Sequence, residues 1–172
     1  LRENHTRTKL IIIDAINGEV IREFIDISDF DVFENTNKFL VSQDSTIYVI
    51  NANTFKVDYK VEVDSGLVKA IEISPNGNLI ASIISNSKLV IFSTKSGGVL
   101  VEKEGIETEK IQFSPDNNKL FIYPYEWSGD DTIILDVSNG DEITSFSHSA
   151  SPVFFFSSAR FAYVGNNGHD LV

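Results

Sequence analysis

The sequence predicts an all-β fold built from repeated small antiparallel sheets of four strands each, and three observations carry that prediction. A strand–turn–strand unit recurs four times, at residues 9–21 (KLIIIDAINGEVI), 46–57 (TIYVINANTFKV), 88–101 (KLVIFSTKSGGVLV) and 132–143 (TIILDVSNGDEI). The apolar runs are short and rich in Ile, Val and Phe, which suits strands; a helix would need apolar residues at i, i+3 and i+4 over ~10 or more positions. The first core positions, Leu10, Ile47, Leu89 and Ile133, lie 37, 42 and 44 residues apart. A period near ~40 residues with several strands in each repeat is the signature of β-propeller blades.

A second element lies between these units. Residues 70–84 (AIEISPNGNLIASII) and 110–123 (KIQFSPDNNKLFIY) place Ser74-Pro75-Asn76-Gly77 and Ser114-Pro115-Asp116-Asn117 40 residues apart. Proline presets φ at the second position of a turn, and Asn, Asp or Gly follow where turn geometry demands them. Each element is therefore strand, tight turn, strand. Residues 30–41 (FDVFENTNKFLV) form a degenerate copy that turns at Asn35-Thr36-Asn37, and residues 153–164 (VFFFSSARFAYV) a shorter one. With strands named a to d, the chain runs c-d, then a-b-c-d three times, then a-b and the start of a further c at 169–172. The predicted units are a part-blade at 1–29, blades at 30–66, 67–107 and 108–150, and a part-blade at 151–172, about four blades in all. Only a neighbouring blade covers a blade's apolar faces. The chain is thus expected to be a segment of a larger propeller, or to close a small ring through a composite of its two part-blades.

A strand, Ser-Pro-Asp/Asn-Gly/Asn, a strand, then an apolar strand ending in Asp-x-x-x-Gly resembles the WD-repeat and related β-propeller superfamily. The residues are Ser74–Gly77, Ser114–Asn117, Asp14–Gly18 and Asp136–Gly140, and the resemblance spans nearly the whole chain. It departs from the strict WD pattern. The pairs closing strand c are Ile13-Asp14, Ile50-Asn51, Phe92-Ser93 and Leu135-Asp136, with no Trp-Asp among them, and Gly168-His169 falls in a b–c loop. The resemblance implies binding through loops at the two ends of the ring, with d–a and b–c loops on one end and a–b and c–d turns on the other.

Sorted this way, the acids cluster. The d–a connections are read as holding Asp26, Asp29 and Asp31, then Asp64, then Glu104, Glu107 and Glu109, and the longest b–c connection, residues 123–131 (YPYEWSGDD), holds Glu126, Asp130 and Asp131. One end is expected to be strongly acidic, either a solvated rim or a docking face for a basic protein segment. Trp127, the single tryptophan, and Tyr125 share that loop, and such residues are over-represented among binding hot spots. The candidate partner-binding residues are therefore Trp127, Tyr125, Glu126, Asp130, Asp131 and Glu107.

Composition narrows the partners. The formal charge of −11 repels phosphate backbones, so direct nucleic-acid binding is not expected. Apolar runs fall far short of a membrane span, residues 1–9 are too polar to open a signal peptide, and a cytoplasmic location is expected. With no cysteine, neither a disulfide nor a thiolate metal site is possible. The absence of methionine, even at position 1, reads as an internal or processed piece. His5, His148 and His169 lack ligand spacing, no Gly-x-Ser-x-Gly elbow is present, and Gly97-Gly98 and residues 165–168 lack the context of a phosphate loop. No catalytic residue, metal or cofactor is expected. The predicted role is a non-catalytic scaffold, a subunit that binds protein partners. The alternatives are the propeller part of a prolyl-oligopeptidase or TolB-like protein, and a small-ligand-binding propeller.

Overall fold

Sixteen strands hydrogen-bonded as separate antiparallel sheets make up the computed structural model, which describes residues 8–33, 36–64, 66–85, 87–108, 110–124, 130–146, 154–157 and 160–162. A two-stranded ribbon comes first, β1 (Lys9–Ile13) and β2 (Val20–Ile25). Three four-stranded sheets follow in simple meander order: β3 (Asp29–Val32), β4 (Lys38–Gln43), β5 (Thr46–Asn51), β6 (Val57–Glu62); β7 (Val68–Ile73), β8 (Leu79–Ile84), β9 (Lys88–Ser93), β10 (Val99–Glu104); and β11 (Lys110–Phe113), β12 (Lys119–Tyr123), β13 (Thr132–Asp136), β14 (Glu142–Phe146). A last ribbon pairs β15 (Phe154–Ser157) with β16 (Arg160–Ala162). The described residues contain no helix. The predicted all-β class and its four-stranded units are what the molecule shows.

Alternation inside each sheet explains the stacking. In β8, Ile80 and Ile84 belong to the core shared with the β3–β6 sheet, while Leu79, Ala81 and Ile83 belong to the core shared with the β11–β14 sheet. In β9, Val90 and Phe92 face the earlier sheet, Leu89 and Ile91 the later one. Successive side chains on a strand point to opposite faces, so a sheet apolar on both faces needs a neighbour on each side. The sheets meet chiefly through their first strands, β7 lying against both β3 and β11. They splay outward like blades.

The turns repeat in detail. Gly18, Phe55, Gly97 and Gly140 each donate their backbone N–H to the carbonyl four residues earlier, at Asp14, Asn51, Ser93 and Asp136, and all four have positive φ. Aligning the sheets on this turn makes Thr132, not Ile133, the counterpart of Leu10, Ile47 and Leu89. The predicted core position in the last repeat is one residue late, because Ile133 and Ile134 are equally apolar. The outer strand then carries the same bulge in the four sheets that have this turn: Ile21, Asp58, Leu100 and Ile143 are each skipped in the pairing. A bulge twists and bends an edge strand, which discourages further pairing along it.

The Ser-Pro turns form as the sequence predicts. The Ser74 hydroxyl accepts the Leu79 N–H at 2.9 Å and reaches Asn76 Oδ1 at 2.9 Å. Ser114 does the same with Lys119 N–H at 3.0 Å and Asp116 Oδ1 at 2.6 Å, and its hydroxyl holds the Asp116 carboxyl below its usual range. In the first full sheet Phe33 stands where these serines stand, and it packs beneath Gly77 of the next sheet, 3.3 Å from where a Cβ would be.

Candidate binding face

Two sets of carboxylates come together, one around a cavity and one along the inner strands. Glu107, on the connection after β10, and Asp130 and Asp131, just before β13, line one cavity together with Glu142 of β14. Its apolar wall is Ile106, Ile122, Pro124 and Ile133. Ile106 and Ile122 are buried in the core between the second and third full sheets, so the cavity sits at the seam of two blades. Thr108 fixes the connection locally: its hydroxyl accepts the Lys110 N–H at 3.0 Å and donates to the Tyr123 carbonyl. Ser87 reaches Glu107 Oε1 at 3.3 Å. No lysine or arginine lines this cavity among the described residues. Tyr125, Glu126 and Trp127, the other predicted contact residues, lie outside the described residues, as do Glu109, the three histidines and the glycines at 165 and 168.

Asp29 and Asp31 are not loop acids at a ring end, as expected from sequence; they are residues of the innermost strand β3. Glu104 likewise ends strand β10. Each β3 aspartate bridges two sheets. Asp29 Oδ1 accepts the N–H of Phe30 at 2.9 Å and Oδ2 that of Ile71 at 2.9 Å. Asp31 Oδ1 accepts the N–H of Val32 at 2.7 Å and Oδ2 that of Ile73 at 2.7 Å. Glu72 of β7 repeats the device one sheet on, accepting the N–H of Phe113. The reason is elementary. A first strand has one edge without a ladder partner, and buried N–H groups must be satisfied. A carboxylate from the preceding first strand supplies the acceptor.

This inner row has unusual protonation. Burial pushes the Asp29 carboxyl up, opposed by the N–H bonds from Ile71 and Phe30. Burial first, then the charges of Asp31 and Asp29, push Glu72 up to about 8. Glu72 is therefore mostly a neutral acid at pH 7, and crowding of three carboxyls is relieved by protonating one. Their alternation with Phe30, Val32, Ile71 and Ile73 is a strand pattern, and that pattern in DFDV was the signal that could have moved these acids from loop to strand.

No group of three or more His, Asp or Glu side chains among the described residues is arranged to hold a metal ion, and no described helix is long and apolar enough to cross a membrane.

Comparison with known proteins fits this architecture. No family model matches the chain. The Tricorn protease homolog of Saccharolobus solfataricus is 31% identical over 85 residues, covering 45% of this chain and 8% of that protein. Among solved structures, hydrazine synthase of Kuenenia stuttgartiensis superposes with a TM-score of 0.61 at 16% identity, over 72% of this chain and 36% of that one. At that identity the likeness concerns the fold alone, and the fold is β-propeller-like. The chain thus spans about a third of the structural neighbour and under a tenth of the curated relative.

Proposed function

We propose that this chain is a non-catalytic, WD-repeat-like propeller module that binds a basic segment of a protein partner at its acidic end. The observation that carries this reading is the seam cavity, where Glu107, Asp130, Asp131 and Glu142 surround an apolar wall. Such a surface suits a peptide with an aliphatic residue flanked by lysines or arginines: burial of the apolar group supplies affinity, and the carboxylates supply steering and selectivity. Tyr125, Glu126 and Trp127 belong to the same proposal by sequence adjacency. The likeness to a protease homolog supports a second reading, in which the chain is the propeller part of a larger peptidase and handles extended substrate rather than one partner.

One experiment separates them. Fluorescence anisotropy with a set of labelled peptides, basic-apolar, neutral-apolar and acidic-apolar, should show preference for the basic set. That preference should weaken at least tenfold between 50 and 500 mM salt, about the scale expected for several screened contacts. Neutralising the triad together (Glu107→Gln, Asp130→Asn, Asp131→Asn) should remove it. Binding that ignores peptide charge supports the substrate-handling reading, and no binding to any peptide overturns both.

A further inference from the structure

The internal repeat contains an earlier version of the acidic seam cavity, and that version is occupied. Aligned on the common turn, Lys88, Val90, Val99 and Glu102 of the second full sheet correspond to Asp131, Ile133, Glu142 and Ser145 of the third. The connections leading into these seams correspond as well. Val63 and Ile106 each donate their N–H to the turn ahead of the third strand of their own sheet, at the carbonyls of Ser45 and Ser87, 2.9 and 2.8 Å away. Asp64 therefore matches Glu107, with Gly105 as the one added residue. Asp64, Lys88, Val90, Val99 and Glu102 line the seam between the first and second full sheets, and their counterparts line the seam between the second and third.

A lysine occupies the first seam. Lys88 Nζ pairs with Glu102 Oε2 at 2.8 Å, and only 17% of its side chain is exposed. The hydrogen bond to Glu102, followed by the charges of Glu102, Glu104 and Asp64, holds the Lys88 ammonium above the usual lysine range. Its cation thus answers acids on both sheets. About 40 Å³ of the first seam is open, against about 590 Å³ of the second. In the second seam Asp131 stands where the lysine stood, Ser145 where its partner stood, and Glu142 in place of a valine, while the acid of the preceding sheet is kept as Glu107.

We infer that the second seam takes the side chain of one lysine from the partner segment, as the first seam holds Lys88, with its stem along Ile106, Pro124 and Ile133 and its ammonium among Glu107, Asp131 and Glu142. This rests on the reading of the cavity as a site for a basic segment, and it narrows the ligand from any basic residue to a primary alkylammonium. Lysine stems cover apolar surface while the charged head stays in a polar setting. Acids drawn from three separate elements, the β10–β11 connection, the residue before β13 and β14 itself, suit a compact ammonium with rotatable donors better than the planar fork of a guanidinium.

The test uses the basic-apolar peptide with its flanking charges kept as arginine and its central basic residue made lysine, arginine, norleucine or acetyl-lysine. By fluorescence anisotropy lysine should bind tightest, arginine about threefold weaker, and the two uncharged forms about tenfold weaker or more. Asp131→Lys combined with Ser145→Glu rebuilds the Lys88–Glu102 pair inside the second seam and should erase the difference between the four forms. Glu142→Val restores the first seam's residue at an exposed position, so the test survives if the double variant does not fold; it should cut the lysine advantage over norleucine about threefold. Far-UV circular dichroism checks the fold of each variant. Central arginine binding as well as lysine, or all four forms binding alike, overturns the lysine inference and leaves the basic-segment reading standing. A lysine preference that persists in the folded variants overturns the placement in this seam. The basic-segment reading fails separately, through loss of the preference for basic over neutral and acidic peptides, and the lysine inference then falls with it.

Discussion

Glu72 is the residue whose chemistry departs furthest from its solution behaviour, and the departure has a sign. Its carboxyl keeps its proton in the folded chain up to about pH 8, whereas in the unfolded chain it ionises near its ordinary value of 4.5. Across that interval the folded state binds more protons, so its contribution to stability is intact below pH 4.5 and is lost as pH rises towards 8. Glu72→Gln keeps an oxygen for the Phe113 N–H and removes the titration. The melting temperature of the variant should match wild type at pH 4 and exceed it at pH 8; a gap that stays constant with pH would place the burial elsewhere. Ser82, by contrast, is fully buried in β8 with a hydroxyl that has no hydrogen-bond partner. Val41 and Ile122 occupy its place in the other full sheets, and nothing in the surroundings accounts for the hydroxyl.

At the scale of the element, the c–d turn is the clearest case of sequence dictating shape. Three of the four left-handed positions are glycine, as that conformation favours, but Phe55 adopts φ 54° in the fourth while its ring packs on the core beside β4. Gly97 and Gly140 share the conformation and differ in surroundings: a Cβ at Gly97 meets nothing within 4 Å, and one at Gly140 lies 2.6 Å from Val101 Cγ1. Gly97→Ala should therefore cost about 1 kcal/mol of unfolding free energy, the backbone strain alone. Gly140→Ala should cost about 2–4 kcal/mol, because overpacking adds to it. Urea unfolding of the pair measures the difference, and equal midpoints would contradict the close approach. The same turn shows where the sequence could be read and where not. Ser-Pro-Asn-Gly and Asp-x-x-x-Gly name their turns because each residue type answers a local backbone demand. Phe55 could not be placed that way, since its strain is compensated by distant side chains. Asp29 and Asp31 resisted for a related reason: an acid in a strand looks misplaced until the N–H it meets, 42 residues on in both cases, is in view. Of the acidic cavity, the nearness of Glu107 to Asp130 and Asp131 could be read from loop order, whereas the place of Glu142, which sits on β14, could not.

Across the whole molecule, cover is unequal. The β7–β10 sheet has a core on each face, shared with its two neighbours, while the β1–β2 ribbon contributes Leu10, Ile12 and Phe24 to one core only. Local opening is easiest where few apolar contacts hold an element. Hydrogen exchange of the single chain at pH 7 should therefore find the amides of β8 and β9 slowest, with those of β1 and β2 faster by about a hundredfold or more. Uniform exchange would mean that the sheets open only together. The inner carboxylates make a different point about how such a molecule is assembled over generations. A repeat that carries, on its own first strand, the acceptor for the following repeat's orphan amide arrives with its fastener already attached. Copying that stretch of gene in tandem adds a module and its joint in one event, so the number of modules can change without any new chemistry being invented at the boundaries.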